Sequence, residues 1–189
     1  DAYDGVRDAL ELGYRHIDTA QMYGNEAEVG RALADASLPR EEIFVTSKLN
    51  NPNHEPGVAR ESLQRSLEDL QLDYLDLFLI HWPLPMFYGG DIMPTWRAME
   101  GFVDEGLVRS IGVSNFETHH LAPILEQGRI MPAVNQIESH PYFANRELHR
   151  FNAEHGIITE AWAPLARGAV LGEPSITEIA REVDASESQ

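Results

Sequence analysis

Leu75-Asp76-Leu77-Phe78-Leu79-Ile80-His81-Trp82 is the most hydrophobic stretch of the chain, and the way it ends decides the fold. The run is too short for a core helix and is apolar on both alternating faces, apart from Asp76. That pattern predicts a strand of a parallel sheet covered by helices on its outside. It closes on a polar residue, His81, just ahead of Pro83. The same pattern recurs on either side. Upstream, Tyr14-Arg15-His16-Ile17-Asp18-Thr19 carries Asp18 near its end, and Ile43-Phe44-Val45-Thr46-Ser47-Lys48-Leu49 carries Lys48. Downstream, residues 108–114 end on Ser114 with Asn115 next, Ala133-Val134-Asn135-Gln136-Ile137 carries Gln136, and Ile157-Ile158-Thr159-Glu160-Ala161-Trp162 ends on Trp162.

Amphipathic segments separate these strands. Helices are predicted near residues 3–13, 25–37, 57–71, 93–106, 118–127, 144–155 and 174–183, two of them starting after Pro56 and Pro174. Regular βα alternation leaves two architectures, an open doubly wound sheet and a (β/α)₈ TIM barrel. No Gly-x-Gly-x-x-Gly follows the first strand, which weighs against the dinucleotide-binding open sheet. Polar residues at the ends of nearly all strands favour the barrel, where those ends converge on one mouth. Six βα units are readable, whereas a closed barrel needs eight strands and about 250 residues. The expectation is therefore one domain over residues 1–189, an incomplete (β/α)₈ barrel of about six βα units.

Composition narrows the function classes. Thirty-one acidic residues against fourteen basic ones give a formal net charge of −17, and the basic residues do not cluster. Nucleic acid and anionic membrane are excluded as partners on that ground. No apolar run approaches the roughly 18 residues that span a bilayer. There is no cysteine, which removes disulfides, thiolate metal sites and cysteine nucleophiles together. No signal peptide is visible at the start of the chain, and a cytoplasmic location is expected. All the basic residues but one are Arg, the exception being Lys48. One reading is a stray lysine in an Arg-biased composition. The other is a requirement for an amine, since arginine stays protonated while lysine can be tuned by its surroundings.

Asp18, Tyr23, Lys48 and His81 lie at or just past the ends of the first three readable strands, so all four can face one pocket. A carboxylate beside an ammonium stabilises its charge, an ammonium beside a phenol favours phenolate, and a neutral imidazole can donate to a substrate oxygen. Such a set can protonate an alkoxide as a carbonyl is reduced. Taken singly, each has a plainer role: Tyr23 a loop aromatic, Asp18 a turn cap, His81 a satisfied core histidine, Lys48 a surface lysine.

The segment Gly13-Tyr14-Arg15-His16-Ile17-Asp18-Thr19-Ala20, with Tyr23-Gly24-Asn25-Glu26 after it, resembles the signature of the aldo-keto reductase family. So do Thr46-Ser47-Lys48-Leu49, Leu79-Ile80-His81-Trp82-Pro83, Ile111-Gly112-Val113-Ser114-Asn115-Phe116, Val134-Asn135-Gln136-Ile137-Glu138 and Trp162-Ala163-Pro164-Leu165. The likeness runs over essentially the whole chain and is nearest to the bacterial 2,5-diketo-D-gluconate reductase-like members, which reduce small dicarbonyls and sugar-derived ketones. The resemblance implies NAD(P)H-dependent reduction of an aldehyde or ketone. Tyr23 is then the general acid, Lys48 its cationic neighbour, Asp18 the carboxylate holding Lys48, and His81 the residue that orients the carbonyl. It further implies that Ser114, Asn115 and Gln136 bind the nicotinamide carboxamide and that Trp162 stacks on its ring. Ala163, where many relatives carry Ser, and Leu165 are placed near the pyrophosphate, with Met22 and Trp82 lining the substrate pocket. Set against the family, the chain lacks the first and last barrel strands; NADPH is the cofactor implied, although the residues of that last strand that grip its 2′-phosphate have no counterpart here. The expected partner is a small-molecule carbonyl substrate, and a monomer is expected.

Two other readings stay open: a Schiff-base lyase acting through Lys48, and a non-catalytic cofactor-binding or scaffold protein on the same fold. His16-x-Asp18 superficially resembles a metal-hydrolase pair but lacks companion ligands at suitable spacing, so no metal is expected. His119-His120 reads as solvated surface, His140-Pro141-Tyr142 as the shape of a turn, and Trp96 with Met99 as core contacts of one helix. The apolar, Gly-rich run over residues 86–90 is a candidate pocket wall.

Overall fold

The computed structural model describes residues 1–189, with Phe87 described by its backbone alone. Helix α1 (Ala2–Glu11) precedes β1 (His16–Asp18), after which the chain alternates: α2 (Glu26–Asp35), β2 (Phe44–Leu49), α3 (Pro56–Leu70), β3 (Leu75–Ile80), α4 (Met93–Asp104), β4 (Val108–Ser114), α5 (Thr118–Gln127), β5 (Val134–Glu138), α6 (Arg146–Glu154), β6 (Ile158–Trp162) and α7 (Pro174–Glu182). The six strands form one parallel sheet in the order β1-β2-β3-β4-β5-β6. The sheet curls into part of a (β/α)₈ barrel, with β1 and β6 each paired on one side. Element boundaries follow the hydrophobic pattern to within about two residues. The largest shortfall is β1, three residues long. β3 stops at Ile80, before Pro83 and Pro85, neither of which can donate to a ladder.

Strand alternation sorts the side chains. The outward set, including Ile17, Val45, Leu49, Phe78, Ile80, Ile111, Val113 and Ile137, joins Leu63, Leu70, Trp96, Phe102, Ile124 and Leu148 of the helices in one continuous core. Trp96 and Met99 are fully buried there, as expected, and the Trp96 indole donates to the Ile130 carbonyl at 3.0 Å. The inward set is smaller: Leu77, Leu79 and Val134 form a separate apolar cluster. Gly112 sits beside that cluster because nothing larger fits. A Cβ there would lie 2.5 Å from the Val134 carbonyl oxygen and 2.8 Å from Leu79 Cδ2.

At the opposite end of the sheet from the polar strand ends, Asp76 is buried. It accepts from Arg40 at 2.7 Å, from Arg109 at 3.1 Å and from the Val45 amide at 2.9 Å. The same two guanidinium groups lie 4.2 Å and 4.1 Å from the Tyr74 ring. The residue that interrupts the apolar β3 sequence is therefore an ion-pair node, not a flaw in the strand. Among the described residues no helix is long and apolar enough to cross a membrane.

Two glycine replacements should move stability in opposite directions. Gly112→Ala overpacks the inner face and should cost about 1–3 kcal/mol. Gly101→Ala, inside α4 with open space around the new methyl, should add roughly 0.5–1 kcal/mol. Urea midpoints at equal m-value decide it, and an unchanged Gly112→Ala midpoint would show that the inner face has room to spare.

Candidate active site

Asp18, Lys48, His81, Ser114 and Trp162 come from the C-terminal ends of different strands or the residue just after, with Gln136 inside β5, so curling the sheet brings them to one mouth. Lys48 is almost wholly buried, at 1% exposure. Its ammonium is paired with an Asp18 carboxylate oxygen and donates to the Thr19 carbonyl at 3.0 Å. The Tyr23 ring lies above it, 5.4 Å from Nζ to the ring centroid. Tyr23 ends a one-turn 3₁₀ helix, Gln21–Tyr23, that leads into α2, and its side chain is about half exposed. His81 meets the Tyr23 ring edge-on, at 5.9 Å and 82°. The four residues singled out in the sequence thus form one contiguous group.

His81 is 7% exposed, and its Nδ1 has no hydrogen-bond partner among the described residues. Burial, reinforced by the Lys48 charge and only partly offset by Asp18, lowers its pKa to about 4. The imidazole is therefore neutral at physiological pH and can act as a hydrogen-bond donor without carrying charge.

The second half of the mouth is a hydrogen-bonded chain of side chains. Trp162 Nε1 donates to Asn115 Oδ1 at 2.8 Å, and Asn115 Nδ2 donates to the His81 carbonyl at 2.9 Å and to Ser114 Oγ at 3.0 Å. Ser114 Oγ donates in turn to the Gln136 carbonyl at 2.9 Å. The Gln136 side-chain amide reaches across the sheet, donating to Asp18 Oδ2 at 2.8 Å and to Glu160 Oε1 at 2.7 Å. Both amide protons are engaged, which leaves Gln136 Oε1 free to accept. Trp82 and Trp162 both line a cleft of about 170 Å³, together with Asn115, Phe143 and the acidic Glu117 and Glu138.

Other expected residues are less engaged. Met22 is on the 3₁₀ turn and exposed. Ala163 and Leu165 follow Trp162 in the chain but do not line the Trp82–Trp162 cleft. Ala163 holds a left-handed backbone conformation at φ 50°. Of residues 86–90, Met86 is exposed and Tyr88 packs on His54 at 4.7 Å, while the Phe87 side chain lies outside the described residues. His16 bonds Thr46 Oγ1 at 2.8 Å. His120 is not merely solvated surface, because its Nδ1 accepts from the Glu117 amide at 3.1 Å in the capping box of α5. His140 and Phe143 close a tight turn through reciprocal backbone bonds of 3.1 Å and 2.8 Å.

Three polar residues at the site escaped the sequence reading. Glu160 was detectable, since the two-residue strand period puts it on the face of Trp162. Glu26 reads as an ordinary acidic residue at a helix start, yet it is buried, with a pKa raised by that burial. His54 is 1% exposed, both its ring nitrogens lack partners among the described residues, and burial lowers its pKa to about 4. Nothing local in the sequence marks it.

The two depressed histidines set a pH window. An unfolded histidine takes its proton near pH 6.5, whereas folded His54 and His81 take theirs near pH 4. Between those values the unfolded chain binds more protons, so stability should fall as the pH drops from 6.5 toward 4. Histidine NMR titration checks the cause. Ring signals of His54 and His81 should keep their neutral shifts at pH 5.5, by the argument above, and titration of either near 6.5 would remove it from the account.

The Aldo/keto reductase family model matches residues 1–189. An aldo-keto reductase of Mycolicibacterium smegmatis is 47% identical over 182 residues, which cover 96% of this chain and 66% of that protein. The methylglyoxal reductase DkgA of Salmonella typhimurium is 49% identical over 177 residues, 93% of this chain and 63% of that protein. The chain thus spans somewhat less than two thirds of either relative. Among solved structures, MGS-M4, an aldo-keto reductase from a Medee basin deep-sea metagenome library, superposes with a TM-score of 0.93. It is 45% identical and covers 98% of this chain and 68% of that one. Motifs, fold and family model agree, and the chain belongs to the aldo-keto reductase family.

Proposed function

We propose that this chain carries the carbonyl-reducing site of an NADPH-dependent oxidoreductase that converts an aldehyde or ketone to an alcohol. The observation that carries the reading is the buried Lys48–Asp18 pair beneath the exposed Tyr23 ring, with a neutral His81 at the ring's edge. A surface of this kind meets a carbonyl oxygen with one acid, one neutral donor and one fixed cation. Tyr23 gives its hydroxyl proton to the oxygen as negative charge develops there. Lys48 stabilises the phenolate that remains, and because Asp18 and the Thr19 carbonyl hold the ammonium in place, this costs no reorganisation at the moment of reaction. His81 donates a hydrogen bond that orients the carbonyl.

A reduced nicotinamide, when bound, supplies the hydride for the carbonyl carbon. Ser114, Asn115 and Gln136 would hold its carboxamide, with Gln136 Oε1 as the acceptor, and Trp162 would lie against its ring. Ala163 and Leu165 are assigned to the pyrophosphate side, and Met22 and Trp82 to the substrate side. A small dicarbonyl is the substrate class favoured, because the Salmonella relative is a methylglyoxal reductase. The preference for NADPH over NADH rests on the family, as does a cytoplasmic setting, which a chain without cysteine suits.

The lyase reading is disfavoured by the same geometry. Lys48 is fully buried and engaged with Asp18 and Thr19, which leaves its amine no approach to a substrate carbonyl. The deciding experiment is Tyr23→Phe assayed with NADPH and methylglyoxal. Loss of the general acid should reduce turnover at least about 100-fold, with NADPH quenching of the Trp162 fluorescence unchanged. Turnover retained in that variant would remove Tyr23 from the mechanism.

A further inference from the structure

The phenol assigned as the acid is held by little of its own. Tyr23 is about half exposed, and the hydrogen bonds around it hold its turn, not its hydroxyl. That turn is one 3₁₀ turn, closed by the Tyr23 amide to the Ala20 carbonyl at 3.0 Å and the Gly24 amide to the Gln21 carbonyl at 3.3 Å. A single such turn does not persist unaided. Placement of the acid over Lys48 therefore has to come from outside the turn.

The side chain of Gln21 supplies it. Its Oε1 accepts from the Asn50 amide at 2.9 Å and from Asn53 Nδ2 at 3.1 Å, and its Nε2 donates to Ser66 Oγ at 3.1 Å. Asn50 directly follows β2, the strand that carries Lys48, and Ser66 lies on α3, which packs beside it. Ser66 Oγ then donates to Glu26 Oε2 at 2.9 Å, while Glu26 Oε1 accepts from Ser47 Oγ, next to Lys48, at 2.5 Å. Gln21 stands two residues before Tyr23 and Glu26 three residues after it. The turn is thus pinned at both ends, and the two anchors meet at the buried Ser66 hydroxyl. Both polar atoms of the Gln21 side chain are used, and none of the side-chain bonds is to its own turn.

We propose that Gln21 is the positioning residue for Tyr23: through Asn50, Asn53 and Ser66 it fixes the 3₁₀ turn against β2 and α3 and so sets the phenol over the Lys48 ammonium. The proposal rests on the reductase reading for its consequence in turnover, but not for its geometry. A loss of the Gln21 bonds frees the turn while leaving the Lys48–Asp18 pair, which has its own partners, in place.

The test uses Gln21→Met, which keeps length and bulk and removes the amide donor and its carbonyl acceptor. Protein labelled with ¹³Cζ-tyrosine gives one signal per tyrosine, and the Tyr23 signal is identified by its absence in Tyr23→Phe. In Gln21→Met the Tyr23 signal should shift or broaden. The Tyr74 signal, between Arg40 and Arg109 at the far end of the sheet, should stay in place and serve as the control for intact folding. With methylglyoxal and NADPH, kcat should fall about tenfold or more, on the scale expected for a misplaced catalytic group, with KM within twofold. Gln21→Glu, which retains the acceptor toward Asn50 and Asn53, should recover part of the kcat loss and most of the Tyr23 signal. A Tyr23 signal unchanged in Gln21→Met overturns the proposal whatever the turnover. If the unmodified protein does not reduce methylglyoxal while the signal still responds to Gln21→Met, the clamp stands and the reductase reading fails.

Discussion

An ammonium cannot be taken out of water without partners. The effective cost is several kcal/mol for an unpaired ion, and Lys48 is among the least exposed side chains of the protein. Its charge is met by Asp18 from the neighbouring strand and its protons by Asp18 and the Thr19 carbonyl. That requirement ties β1 to β2 at the mouth of the sheet. It also fixes the electrostatics of everything nearby: the same cation helps keep His81 neutral and lies under the face of the Tyr23 ring.

The polar mouth is affordable because the rest of the sheet is not polar. β3 is buried along its whole length, and outward side chains of β1 to β5 share one apolar core with the helices. The inward face has few large side chains and is closed by a tight approach at Gly112. Charges are thereby confined to the two ends of the strands. At one end Asp76 gathers Arg40 and Arg109, which leaves that carboxylate fully engaged in structure. At the other, the carboxylates of Asp18 and Glu160 share a single amide, that of Gln136, and Asp18 also holds Lys48. The first arrangement engages its carboxylate completely and leaves only the buried Arg40 Nε without a partner. The second leaves a phenol, a neutral imidazole and an amide oxygen free, which is why chemistry is assigned there.

The interlocking of the mouth also bears on precision. Trp162, Asn115, Ser114 and Gln136 are linked by consecutive hydrogen bonds that run across β4, β5 and β6. Displacing one side chain strands the partners of the next, and a buried partner without a bond is costly. A network of this kind holds its members to one geometry, which suits a site that must orient a planar ligand. His54 lies outside this network: it is buried, packs against Tyr88, and the Trp82 backbone only partly offsets the burial of its ring.

Read alone, the amino-acid sequence determined the order of the elements, the barrel class and the membership of the Asp18, Tyr23, Lys48 and His81 group. All of these are local signals: a two-residue period in the strands, a 3.6-residue period in the helices, and a polar residue where each strand ends. Parallel βα topology then brings strand ends together with no further information. The tertiary structure alone decided which polar groups meet. Gln136 bonds Asp18 from 118 positions away, Gln21 reaches Ser66 across 45, and Arg40 and Arg109 converge on Asp76 from opposite sides in sequence. Such pairings depend on strand register and on the curl of the sheet, both set by the packing of the whole core. No local period encodes them, and the burial of His54 and Glu26 was hidden for the same reason.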